Sequence, residues 1–231
     1  MSLALDFLSF VFIPLLALFV VYFGKHLHKH ETLYYIVVAI ITTAAGIFAV
    51  YAQVEGIDLA SSSPIFYAVL FQGHATFAFF VLVMFAGAFK NKSKPKKVLF
   101  SVRRELAILG FLFLIPHAVL LVWLALSNFN PTGTLAFLIM IPLFVTSFRS
   151  VKKKMHPKAW FKLHKLAYWI YALIFLHLAS ITIIFNLLGY ESTLELILGF
   201  VRFLLYTAIF IVYTVMKVRN TPRKKVTPAS A

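Results

Sequence analysis

Apolar residues run along this chain in seven long blocks, near 3–24, 33–53, 64–88, 104–127, 133–149, 162–187 and 194–217, separated by short polar connections. Crossing a hydrocarbon core as an α-helix takes about 20 mostly apolar residues, so the pattern predicts seven membrane-spanning helices. Pro14, Pro116 and Pro142 fall inside these blocks, where a proline removes a backbone donor and bends the helix. Tyr51, Trp160 and Tyr190 fall near block ends, as an interfacial aromatic belt requires. The first block lacks the basic flank and small-residue cleavage site of a signal peptide, and is read as a span.

Charge orients the bundle. The connections Gly24–Glu31, Phe89–Arg104 and Phe148–Lys165 and the tail after Lys217 hold nearly all the Lys and Arg. The alternate connections, Val54–Ser63, Asn128–Thr132 and Leu188–Thr193, hold none. The positive-inside rule then places the N-terminus outside and the C-terminus inside, as seven helices demand.

Composition narrows the function. With 62% hydrophobic and 13% charged residues, the chain has too few charges to clothe a water-facing surface. It is expected to be a multi-pass protein of the cell membrane, organised as a single domain. Residues 1–32 form a first helix and loop, 33–217 a core, and 218–231 a disordered basic tail. The spans leave no room for a nucleotide-binding domain, and no glycine-rich phosphate loop is present, which excludes a self-contained nicotinamide-driven enzyme, a kinase or a P-loop ATPase. The absence of cysteine excludes disulfides, cysteine-bound zinc, iron–sulfur clusters and thiol nucleophiles. The net charge of +15 reads as basic loops meeting anionic lipid or an acidic donor, rather than as a nucleic-acid footprint.

Ionisable residues at membrane depth are costly and therefore carry the functional hypothesis. Four are deep: His74, His117, His177 and Arg202. Counted from the outer helix ends at about 1.5 Å per residue, all four lie roughly 12–17 Å below the outer surface. Two histidines from separate helices at one depth, with no deep carboxylate, point to a metal or haem. Haem fits better than a bare divalent ion, because its iron needs only two axial imidazoles. For His74 three roles stand open: a hydrogen bond to a haem propionate, a substitute ligand, or pairing with a neighbouring helix. For Arg202 two partners stand open, Glu195 and a haem propionate.

A shallower basic group gathers at the inner face: Arg103, Arg104, Arg149, Lys162, His164 and Lys165. His164 precedes His177 by 13 residues, and Arg104 precedes His117 by 13, which sets the members of each pair about 20 Å apart along the helix. This suggests a ladder for electrons. His26, His28, His30 and His156 sit among lysines and read as residues of solvated inner loops.

The stretches Arg103-Arg104-Glu105-Leu106 with His117, Thr132-Gly133-Thr134-Leu135-Ala136-Phe137 ending in Thr146-Ser147-Phe148, and Trp160-x-x-Leu163-His164-x-Leu166-x-Tyr168 with His177 resemble the ferric reductase-like transmembrane domain. Within that family they are most similar to the haem-binding membrane subunit of the bacterial methionine-sulfoxide reductase system. The resemblance covers roughly Tyr34 to Lys217 and implies a six-helix core, so the first helix is an addition. It implies electron transfer through b-type haem, with His117 and His177 as the axial pair of an outer haem and His164 as a ligand on the inner side. Other branches carry a fourth histidine where this chain has Arg103 or Arg104, so one haem or two is left open. The fused flavin and nicotinamide domain of ferric reductases is absent from this sequence. Electrons would then come from a separate cytoplasmic-side donor, a flavin reductase or a quinol, with FMN or quinone as further cofactors. They would leave for an outer acceptor or partner reductase, making the chain an electron-transfer subunit of an oxidoreductase system. The competing readings are a cofactor-free transporter with a proton relay and a membrane scaffold. A transporter would more often show inverted repeats, broken helices or buried carboxylates.

Overall fold

The computed structural model describes the backbone of residues 3–124, 131–188 and 193–221, with side chains described over 5–119, 131–181 and 193–221. After a 3₁₀ turn at Leu3–Phe7 come α1 (Leu8–Lys29), α2 (Glu31–Val54), α3 (Leu59–Ser62), α4 (Pro64–Leu70), α5 (His74–Ala86) and α6 (Lys94–Ser101). They are followed by α7 (Arg103–Leu124), α8 (Pro131–Val145), α9 (Arg149–Lys154), α10 (Pro157–His164), α11 (Ala167–Leu188) and α12 (Thr193–Asn220). No strand occurs among the described residues. Among the described residues five segments are long and apolar enough to cross a membrane, fewer than the seven the sequence predicts: Leu5–Lys29, Glu31–Val54, Pro64–Ala86, Pro157–Ile181 and Thr193–Asn220. The chain is therefore a multi-pass membrane protein built as a helical bundle. α7, at 22 residues, and the shorter apolar α8, at 15 residues, pack among these spans.

α5 is the centre, buried along nearly its whole length. α1 and α7 flank it, α2 lies on the far side of α7, and α11 bridges α8 and α12. Val20 and Leu27 of α1 meet Leu82, Val83 and Ala86 of α5 and Leu106, Leu109 and Leu112 of α7. On α2, Ala45, Ala49 and Ala52 present a small-residue face to Leu59, Leu70 and Phe71. In lipid, which is as apolar as leucine, close approach across small residues and interhelical hydrogen bonds hold helices together better than hydrophobicity does. The opposite faces carry exposed apolar side chains such as Tyr22, Ile47 and Trp169, suited to lipid contact.

Two departures from the sequence reading shape the site. The basic run Lys25–His30 is not a loop: α1 continues to Lys29, and only His30 separates it from α2. Gly24 does not end the helix, because it is a buried packing position; a Cβ there would lie 3.5 Å from Val102 Cγ1. The block 64–88 is not one helix either. Gly73 adopts φ +77°, a left-handed conformation natural to glycine, and breaks the segment into α4 and α5. Long apolar windows average over such a break, which is why hydropathy alone does not reveal it.

The other end of α5 is closed from a distance. The last four carbonyls of a helix have no partner within it. Here Lys217 Nζ donates to Gly87 O at 3.1 Å, and Asn220 Nδ2 donates to Ala88 O at 2.9 Å. The cation also suits the negative end of the helix dipole.

Candidate functional site

The two deep histidines meet. His117 on α7 and His177 on α11 place their ring centroids 6.3 Å apart with planes at 82°. An imidazole centroid lies about 3 Å from a metal held at its nitrogen, given a metal–nitrogen bond of about 2 Å. The observed spacing is about twice that, the separation expected of two imidazoles binding one iron from opposite sides.

The helix break fixes the first ring. His117 Nδ1 donates to the carbonyl of Phe71 at 2.6 Å, at the break between α4 and α5. With Nδ1 carrying the proton, the Nε2 lone pair is left to face a ligand. Metal-binding histidines commonly have this second partner, which holds tautomer and orientation. Gly73 lies against the same ring. His177 Nδ1 is buried without a hydrogen-bond partner among the described residues. That nitrogen abuts α8 at Gly133, which leaves Nε2 as the nitrogen able to face a ligand. Together these residues fit a haem held by two imidazoles.

His74, at the first position of α5, is part of the same neighbourhood but has both ring nitrogens engaged. Ser9 Oγ lies 2.7 Å from Nδ1, and Gln72 Oε1 lies 3.1 Å from Nε2. Tyr206 OH donates to Ser9 Oγ at 3.2 Å, so the network ties α1, α5 and α12 together. Its role here is that of a cross-link between helices. Among the described residues Arg202 pairs with Asp6, a partner the sequence reading did not name, with Nη1 2.8 Å from Oδ2. The 3₁₀ turn at the start of the chain lies against α12 and brings that carboxylate within reach.

The basic residues gather around a second feature, a cavity of about 670 Å³ lined by Arg103, His164, Lys152, Lys165, Tyr171 and Lys217 together with Phe111, Met140 and Phe144. His164 closes α10; its Nε2 lies 3.1 Å from Thr146 Oγ1, and its ring stacks on Trp160 at 4.0 Å. Trp160 Nε1 in turn donates to Thr146 O at 3.0 Å. Lys152 sits over the Trp160 ring at 4.4 Å, and Arg103 sits 5.9 Å from the Phe100 ring. Arg104 lines this cavity too but is already paired with Glu31 and Glu105.

Sequence reasoning missed Glu105 as a buried group. Its side chain is 1% exposed, and it pairs with Arg104 and with His28 Nδ1 at 2.8 Å. Glu31, from the start of α2, pairs with Arg104 and with Arg149 at 3.1 Å. The signal was a carboxylate placed directly after two arginines where an apolar span begins. Ser9 and the Phe71 carbonyl carried no sequence signal, since a serine in an apolar helix and a main-chain oxygen look alike everywhere.

Comparison with known proteins agrees with the middle of the chain. Residues 72–175 match the family described as ferric reductase like transmembrane component. The match takes in His74, His117 and His164 and stops two residues short of His177; it is narrower than the similarity read along Tyr34–Lys217. A protein of Treponema pallidum (strain Nichols), described as an uncharacterized protein, is 32% identical over 162 residues, covering 64% of this chain and 43% of that protein. The chain thus spans less than half the length of this relative. No solved structure matches the chain.

Proposed function

We propose that this chain is a ferric reductase-like electron carrier that holds one b-type haem between His117 and His177 and passes electrons across the membrane. The observation that carries the reading is the histidine pair itself: two imidazoles from separate helices, 6.3 Å apart, one with its tautomer held by Phe71 and the other seated with Nδ1 against α8. Bound haem would supply one-electron redox chemistry at the iron. The protein's part is to present the two imidazoles, hold the Nδ1 proton of His117 on a main-chain oxygen, and surround the pair with apolar side chains that exclude water.

In this reading seven helices cross the membrane, with the N-terminus outside and the basic end of the bundle inside. The cavity beside His164 receives the reduced donor, a flavin or quinol, whose anionic or polar groups meet Arg103, Lys152, Lys165 and Lys217. Among the described residues lining that cavity the other imidazole, His28, is tied to Glu105, so a single haem fits these residues better than two. Electrons leave at the outer side for an acceptor or partner reductase, as in the methionine-sulfoxide reductase branch that the motifs resemble. One observation favours the competing proton-relay transporter: the helix broken at Gly73 beside His74. A reduced-minus-oxidised spectrum of the purified protein with haem quantification separates the two. A low-spin b-type spectrum near one haem per chain is expected; folded, colourless protein from haem-replete cells would overturn the proposal.

A further inference from the structure

Glycine weakens a helix relative to alanine, so a glycine inside one invites a reason. Gly133, in the first turn of α8, has no left-handed φ that would require it. The reason lies across the interface. A Cβ built on Gly133 would fall 2.6 Å from Nδ1 and 2.7 Å from Cε1 of His177. Neither distance is tolerated between non-bonded atoms, and the ring would have to move. By contrast, a Cβ on Gly46 of α2 would meet Val119 at 3.9 Å, an ordinary contact.

We propose that Gly133 is a positioning residue for the histidine pair: its missing side chain lets the His177 imidazole seat edge-on against α8, and this seat sets the ring at 82° to His117. The orphan Nδ1 of His177 is the atom pressed against Gly133, so the same contact decides which nitrogen is left to face the space between the rings. His117 is oriented by a hydrogen bond, and His177 by the shape of a backbone. The inference rests on the proposed haem site for its spectroscopic arm but not for its structural one.

The experiment is a double-mutant cycle on the full-length detergent-solubilised protein, read by thermal unfolding and by electron paramagnetic resonance of the ferric haem. Gly133→Ala should weaken haem retention by about tenfold, in the range that mutations of groups supporting a ligand produce. The haem that stays should show a shifted low-spin signal, because that signal depends on the angle between the axial imidazole planes. The melting temperature should fall in the parent background and be unchanged or higher in His177→Ala, where the ring that clashes is gone. Gly46→Ala should leave the haem signal as in the parent. If Gly133→Ala does not fold alone but folds in the His177→Ala background, the clash is the one proposed. An unshifted signal with full haem retention, or a thermal loss of equal size in both backgrounds, overturns the proposal. Parent protein that binds no haem defeats the haem reading while the thermal cycle still decides the role of Gly133.

Discussion

The histidine layer and the basic cavity are both rich in aromatic and ionisable side chains, yet they differ in how far those groups satisfy one another. His74 has both ring nitrogens engaged, by Ser9 and Gln72, whereas His164 has Nε2 on Thr146 and its ring face on Trp160. His117 has one nitrogen engaged and His177 has its Nδ1 orphaned. A histidine used as a strut has its hydrogen-bonding capacity met by the protein, whereas one reserved for a ligand keeps a nitrogen in hand. Counting ring nitrogens sets His74, with both engaged, apart from His117 and His177.

The sharpest way to break this contrast is to delete the histidines in turn. His117→Ala and His177→Ala should each abolish the same low-spin haem component, whereas His74→Ala should keep it, as judged by difference spectra at matched protein concentration. If His74→Ala alone converts the centre to high spin, the division between strut and ligand is wrong.

The buried ion-pair cluster around Glu105 should give the next largest effect. Glu105→Ala strips Arg104 and His28 of a fully buried partner; because Arg104 keeps Glu31, a loss of roughly 3 kcal/mol, at the low end for a broken buried pair, is expected in denaturant unfolding. Haem content per folded chain should not change. A loss of haem with unaltered stability would move Glu105 from scaffold to site.

His164→Ala should leave the spectrum of the His117–His177 centre in place and slow its reduction by a cytoplasmic-side donor, measured by stopped-flow absorbance. Loss of all haem from folded His164→Ala protein would mean that the haem is held differently. The smallest effect is expected at Arg202. Its pairing with Asp6 is partly exposed, so Arg202→Leu and Asp6→Asn should each cost about 1 kcal/mol or less, the double variant no more than either, with full haem occupancy. Reduced occupancy in Arg202→Leu alone would restore the propionate reading.

Much of this architecture was legible in the sequence because lipid imposes it. Long apolar blocks have to be helices, and each charged connection has to sit at an end, so the all-helical, multi-pass character follows from counting residues. What stayed hidden depends on contacts distant in the chain. Asp6 looks like a residue of an approach to the first helix until its turn is seen against α12. The Lys25–His30 run looks like a loop until His28 is seen reaching Glu105. The break at Gly73 was within reach, since Gln72-Gly73-His74 interrupts an otherwise apolar block, but a single glycine is tolerated in many membrane helices and carries little weight alone.

The fastening at the C-terminal end of α5 bears on how the molecule is made. The two side chains that meet its terminal carbonyls lie 130 and 132 residues further along the chain, and Tyr206 reaches Ser9 across 197. During synthesis the central helix must therefore enter the membrane with that end unfinished, for a period of roughly ten seconds at bacterial-like elongation of 5–20 residues per second. Until α12 arrives, the bundle lacks both its clasp on α5 and its tie to α1, so chains arrested just before Lys217 should be far more open to a membrane protease than chains released past Asn220. Completion of the last helix would then act as the maturation step of the whole bundle, testable by pulse proteolysis of stalled nascent chains.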